Sequence, residues 1–404
     1  MATVTIEGRF AMTTPLFCGG ADPARAELRI PSFKGVLRFW WRALAWSRCD
    51  GDLGKIRECE DRLFGSSTTG QSRVLIHLLP SQFAPRTLDA GKILTLYRGS
   101  VVGHGVRYFG YGLMEAYRSR MRNTQDGQLT RSCLLPPFEF TVMLRGADLT
   151  DDERKSLQDA LIALGTMGGL GARNRRGYGS LVLEELRLDG RTTWTAPLTM
   201  TDLSKCILQL YNSHANTSLP EYTALSKKTR HVLLSADKVE PLELLDRVGR
   251  EMVRYRSWGR GGKILGGSYD SERRFSDDHD LMKLPVSQRQ KHPRRVAFGL
   301  PHNYGKQSRH EVKPAALDLD RRASPLFIHM HMCGKTPVAV VSFLPARFLP
   351  REEPEISVGG QKVRQVEEND LFRPVHDFLD RLLDKTTGGN CRRETFTNVR
   401  EVRP

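Results

Sequence analysis

The sequence predicts a mixed α+β chain of two tandem ferredoxin-like domains with long loop insertions. Three observations lead there. Segments whose hydrophobicity suits strands recur at four places in the first half. Segments with helical apolar spacing follow the first and third of them, giving β-α-β, a long insert, then β-α-β. The second half holds a weaker copy of this succession. The same arrangement is found in RNA-recognition (RRM-like) domains. A chain of 404 residues is long enough for two such units. They are expected at 1–193 and 204–404, joined by a linker over Trp194–Leu203.

The first strand is Thr3–Met12, where Val4, Ile6, Gly8, Phe10 and Met12 alternate with polar neighbours. The first helix follows Ile30-Pro31, with Ser32 as its expected N-cap. Leu37, Trp40, Trp41 and Leu44 form its apolar stripe, and Lys34, Arg38 and Arg42 share another face at i, i+4, i+8. Arg73–Leu79 and Phe138–Arg145 read as the second and third strands, separated by an Arg-rich excursion over 81–135. The second helix is Asp151–Met167, opened by a capping box of Thr150 and Glu153. Leu181–Leu188 is the fourth strand. In the second half, Cys206–Tyr211, Arg294–Leu300, Pro325–Cys333 and Val338–Leu344 read as strands. Pro241–Tyr255 and Val366–Leu383 read as helices.

The 62 basic residues exceed the 46 acidic ones by 16, and 46 of them are Arg. Arginine forks onto phosphate and stacks on bases, so the excess favours a polyanionic partner, most simply nucleic acid. The alternative is a compositional Arg bias with no ligand behind it. The seven Cys are odd in number and contain no CxxC, which disfavours a disulfide framework and a zinc ribbon and fits a cytoplasmic protein. There is no apolar run near the ~18 residues a membrane span needs. The N-terminus lacks the basic-then-apolar layout of a signal peptide.

Residues 168–180 place five glycines around Arg173, Arg175 and Arg176. Glycines such as Gly169, Gly171 and Gly177 let backbone approach a ligand closely, and arginines between them grip phosphates. No Gly-Lys-Ser/Thr closes the loop, so it is not a Walker loop, and it follows a helix rather than a strand, so it is not a dinucleotide fingerprint. The alternative is a tight helix-to-strand turn with solvated arginines.

This loop, ahead of the last strand of a ferredoxin-like domain, resembles the signature of the RAMP superfamily of CRISPR-associated proteins. Thr14-Pro15-Leu16-Phe17, Gly19-Gly20-Ala21, and the run from Glu27-Leu28-Arg29 through Pro31-Ser32, Lys34-Gly35 and Leu37-Arg38-Phe39-Trp40-Trp41-Arg42 look like a narrower group. That group is the first RAMP subunit of type III-B (Cmr) effector complexes. Leu63-Phe64-Gly65 and Arg321–Leu326 are similar to further parts of its pattern. The resemblance implies a non-catalytic subunit that binds near the 3′ end of the CRISPR guide RNA, supports target RNA capture and contacts other Cmr RAMP subunits. It implies that cutting belongs to the backbone subunits.

On this reading the RNA contacts are Ser32, Lys34, Arg38 and Arg42, Arg107, the loop residues Gly169, Gly171, Arg173, Arg175, Arg176 and Gly177, and the basic-aromatic segment Arg256, Arg260 and Lys263. The stretch 98–122 interleaves Arg98, His104, Arg107, Tyr108, Tyr111, Arg118, Arg120 and Arg122, as single-stranded RNA binding requires. A ribonuclease would use Asp22 or His104, but neither has a neighbouring His or carboxylate cluster in sequence, and Asp22-Pro23 reads as turn chemistry. A pure scaffold would direct its arginines at acidic proteins. His329, His331 and Cys333 share one strand face, and Asp277-Asp278-His279-Asp280 forms an acidic run. Neither pattern makes a metal site by itself. No cofactor is called for.

Overall fold

A computed structural model describes residues 3–22, 24–80, 84–96, 98–211, 218–259, 261–305, 307–316, 318–384 and 394–404. β1 (Thr3–Met12) buries Val4, Ile6, Phe10 and Met12, as its alternation requires. α1 (Ile30–Arg48) follows, then α2 (Leu53–Phe64), β2 (Val74–Pro80) and the short α3 (His104–Phe109) inside the insertion. β3 (Phe138–Ala147), α4 (Asp151–Met167), β4 (Leu181–Leu188) and β5 (Arg191–Thr195) complete the first half. The strands form one antiparallel sheet in the order β2-β3-β1-β4-β5.

α1 starts at Ile30, with Arg29 at the N-cap position and no side-chain cap. Ser32 thus lies inside the first turn rather than at its cap. Pro31 explains the shift: it lacks an N–H and fits a first turn without leaving a donor unmet. The stripe of Leu37, Trp40, Trp41 and Leu44 is buried. α4 begins where the sequence places it. Thr150 Oγ1 accepts from the Glu153 N–H at 3.2 Å, and Glu153 Oε2 accepts from the Thr150 N–H at 2.8 Å.

α5 (Met200–Gln209) replaces the expected strand at Cys206–Tyr211 and takes up the end of the expected linker, whose first two residues, Trp194 and Thr195, belong to β5. Thr199 caps it, and Leu203, Cys206, Ile207 and Leu210 recur at helical rather than strand spacing on the first core. β6 (Arg230–Ser235) was not expected. It is buried along its whole length, so it shows no alternation. α6 (Pro241–Arg256), α7 (Ser276–Lys283), β7 (Leu326–Cys333), β8 (Thr336–Phe343), α8 (Glu368–Leu383) and β9 (Asn398–Val402) follow. Arg294–Phe298 is a 3-10 turn, not a strand, because Asp278 accepts the N–H groups of Arg294 at 2.7 Å and Arg295 at 3.0 Å.

The second sheet runs β7-β8-β6-β9. Its connectivity, β6-α6-β7-β8-α8-β9, repeats that of β1-α1-β2-β3-α4-β4, and both sheets have the second, third, first and fourth strands in that order. α4 packs on β4 of its own sheet and on β7 and β8 of the other. Phe327 of β7 lies 5.6 Å from the Phe39 ring and 5.7 Å from that of Trp40. α1 and α4 are therefore sandwiched between two sheets, with α6 and α8 beyond the second.

His329 and His331 on β7 face this sandwiched layer, fully buried, with His329 Nδ1–H donating to the Gly168 carbonyl at 2.6 Å. Burial holds His329 down to about 4 and His331 well below its ordinary value. The unfolded chain takes up these protons near pH 6.5, whereas the folded chain resists until pH 4. The stability that neutral His329 provides above pH 6.5 is therefore lost as pH falls from about 6.5 towards 4. Melting temperatures should drop across that window, and His329→Asn should flatten the slope. An unchanged slope in the variant would refute the assignment.

Among the described residues no helix is long and apolar enough to cross a membrane.

Candidate nucleic-acid interface

The cationic face of α1 is partly covered. α2 lies across it and presents Glu60, whose side chain is only 8% exposed. Arg38 Nε and Arg42 Nη1 reach Glu60 Oε1 at 2.8 and 3.1 Å. Lys34 Nζ donates to the Phe64 carbonyl at 2.9 Å, and burial with Arg38 nearby lowers its pKa. The i, i+4, i+8 spacing does put the three side chains on one face, but a carboxylate from the next helix already holds two of them. Asp52 at the α2 N-cap, followed by Ile56, Leu63 and Phe64 at helical spacing, was the signal for that helix.

The Gly-rich loop sits between the halves. The Ile328 N–H of β7 donates to the Arg175 carbonyl at 3.0 Å, and Arg176 bridges Ile328 in parallel. Gly169 bridges Ser180 across the loop. Gly171 and Gly177 have φ of 81° and 83°. A Cβ there would lie 2.5 Å from the Phe17 carbonyl oxygen and 2.5 Å from Leu245 Cδ1, respectively. What these glycines approach closely is the chain's own structure. Tyr178, fully buried, donates to the Val106 carbonyl at 2.8 Å and ties the loop to α3.

The three loop arginines differ. Arg173 is exposed and donates to the Tyr111 carbonyl at 2.9 Å from Nε and 2.5 Å from Nη2. Arg175 stacks on Phe327 at 4.5 Å and Phe39 at 5.3 Å and donates to the Ser324 carbonyl at 3.1 Å, so it fastens the halves together. Arg176 carries no hydrogen bond on its buried Nη1. Burial, then Arg256, pushes its pKa down to about 10.

Arg256 comes from the end of α6. Its Nη1 donates to the Tyr108 hydroxyl at 2.9 Å, its guanidinium lies 4.9 Å from the Phe298 ring, and its buried Nε has no partner. His302 and Arg295 join the group. His302 Nε2–H donates to the Arg295 carbonyl at 2.9 Å, and burial, then Arg256 and Arg295, depresses His302 strongly. The carboxylate that faces this cluster is Asp278, 3.6 Å from Arg295 Nε. Arg295 and His302 are additions to the expected site; the sequence places Arg294–Leu300 in a strand, which hides Arg295 as a site residue.

The remaining candidates are placed as follows. Arg107 is buried and paired with Asp126 at 2.6 Å. His104 Nδ1 accepts from Arg107 at 2.9 Å, and burial followed by Arg107 lowers its pKa, so it is held neutral. Lys263 pairs with Asp270 at 2.9 Å. Arg260 lies outside the described residues. Asp22 Oδ1 accepts from the Ala24 N–H at 2.8 Å, closing an Asx turn. Asp278 anchors the 3-10 turn, and His279 stacks on Trp258 at 4.6 Å. Among the described residues, no three His, Cys, Asp or Glu side chains converge as metal ligands.

Residues 9–182 match the model of the RAMP superfamily. A relative from Pyrococcus furiosus, the CRISPR system Cmr subunit Cmr1-1, is 28% identical over 341 residues, 80% of this chain and 82% of the relative. A second from the same organism, Cmr subunit Cmr1-2, is 30% identical over 184 residues, 43% of this chain and 92% of the relative. The chain belongs to the Cmr1 family of the RAMP superfamily. The crystal structure of Cmr1 from Pyrococcus furiosus in its apo form is similar over 91% of this chain and 95% of that one, at a TM-score of 0.52 and 22% identity, a likeness of fold.

Proposed function

We propose that this Cmr1-family chain is a non-catalytic RNA-binding and assembly subunit of a type III-B CRISPR ribonucleoprotein in the cytoplasm. Its two halves are tandem ferredoxin-like domains, about 1–193 and 204–404. It binds near the 3′ end of the guide RNA, contacts sibling RAMP subunits and supports capture of target RNA. The repeated strand order and connectivity support the domain reading. The observation that carries the RNA-binding reading is the arginine cluster at the junction of the halves. Arg176 and Arg256 bring buried, unpartnered guanidinium N–H groups to a site where burial and the nearby Arg256 depress Arg176, and where Asp278 pairs with Arg295. A phosphate would satisfy those donors and relieve the repulsion.

The Asx turn at Asp22 and the guanidinium-bound His104 favour binding over cleavage. Among the described residues neither is hydrogen-bonded to a carboxylate or a second His. Labelled single-stranded RNA should be shifted on a native gel and remain intact on a denaturing gel, with or without Mg²⁺. Cleaved RNA would overturn the non-catalytic assignment, and unshifted RNA would overturn RNA binding.

A further inference from the structure

Residues 98–131 of the insertion carry six arginines against two carboxylates. The fold sorts this segment into an inner and an outer set. α3 lies against α6 with Gly105 and Gly249 back to back, a Cβ on Gly249 falling 2.5 Å from the Gly105 carbonyl carbon. Both carboxylates are already engaged. Asp126 takes Arg107 at 2.6 Å and the Arg118 N–H at 2.5 Å, and Glu115 takes both Nη atoms of Arg122 at 2.8 and 2.9 Å.

Arg98, Arg118, Arg120 and Arg131 are left exposed, with no ion-pair partner among the described residues. Beside them, Tyr111 is 72% and Tyr117 is 62% exposed. Met121 is fully exposed at the tip of the hairpin in which Ser119 pairs with Thr124. Arg118, Arg120 and Asn123 line a groove of about 590 Å³, with Asp126 on its wall. Arg173 of the Gly-rich loop holds the Tyr111 carbonyl, so this face adjoins the arginine cluster at the junction.

We infer that this outer face is a stacking platform for single-stranded RNA, with bases on Tyr111 and Tyr117 and phosphates on Arg118 and Arg120. The inference rests on the RNA-binding reading above and adds strandedness to it. Phosphate binding alone has no use for two exposed phenol rings, and a duplex keeps its bases stacked on one another and out of reach. Rings interleaved with uncompensated arginines fit unstacked bases on a charged backbone. An acidic protein partner is the competing occupant.

The test compares a labelled oligouridylate with an RNA duplex of the same length, using the full chain freed of nucleic acid. In Tyr111→Leu/Tyr117→Leu, single-strand affinity should fall about tenfold or more while duplex affinity and the salt slope hold. Tyr111→Phe/Tyr117→Phe should bind as the unmodified chain does. Unchanged single-strand affinity in the Leu pair would overturn the platform and leave the face to a protein partner. Equal losses for both RNAs would also overturn it. If Arg176→Ala/Arg256→Ala still loses binding in either case, the functional reading survives without the platform. An unmodified chain that binds neither RNA overturns both.

Discussion

Glu251→Gln should lower the unfolding free energy by about 3–5 kcal/mol, one of the two largest effects expected in this protein. Glu251 is fully buried in α6. Its carboxylate takes Arg254 Nη1 at 2.7 Å, the Glu394 N–H at 2.9 Å and Arg381 of α8. Arg381 also holds Glu272, and Arg254 also reaches Glu394 at 2.6 Å. The network fastens α8, the segment before α7 and the chain leading to β9 onto one helix. Removing the central negative charge leaves Arg254 and Arg381, each 2% exposed, with one carboxylate apiece, Glu394 and Glu272, where each now has two. Urea denaturation monitored by circular dichroism reads the effect. A loss under about 1 kcal/mol would mean that the network is screened like a surface pair.

The second large effect concerns RNA. Arg176→Ala/Arg256→Ala should weaken single-stranded RNA binding by about tenfold or more, since each charge-assisted hydrogen bond is worth roughly 1.5–3 kcal/mol. The slope of log affinity against log salt should become shallower by about one unit per lost phosphate contact. Arg38→Ala/Arg42→Ala, which removes two cations from a face with comparable sequence credentials, should leave RNA affinity nearly unchanged. It should cost stability instead, by leaving Glu60 buried without partners. The reverse pattern, with affinity lost at Arg38 and Arg42 and kept at Arg176 and Arg256, would move the interface to α1. Titration by fluorescence anisotropy at several salt concentrations separates the two.

The contrast between those two pairs shows what was legible in the sequence. Spacing along one element is local information, and it placed Lys34, Arg38 and Arg42 on one face correctly. Whether that face meets solvent or a carboxylate depends on how α2 folds back, and periodicity in α1 carries no trace of that. β1 and α4 were readable because alternation and a capping box are local. β6 was not, since burial on both faces erases alternation and the strand opens on Arg230, held by Glu401 and Asp380 from distant parts of the chain. The Gly-rich loop was expected to let backbone approach a ligand, and its glycines approach the chain's own structure. The approaching groups are Phe17, Leu245 and β7, all remote in sequence. The cluster of Arg176, Arg256, Arg295 and His302 spans more than a hundred residues, and only the docking of the halves assembles it.

That docking has a consequence for how the protein works. With α1 and α4 pressed between two sheets, and with Arg175 lying against both Phe39 and Phe327, the halves share a continuous interior. They cannot swing apart on a linker to admit a ligand. On the proposed reading the junction is a preformed seat, and the entropic cost of ordering falls on the RNA strand instead of on the protein.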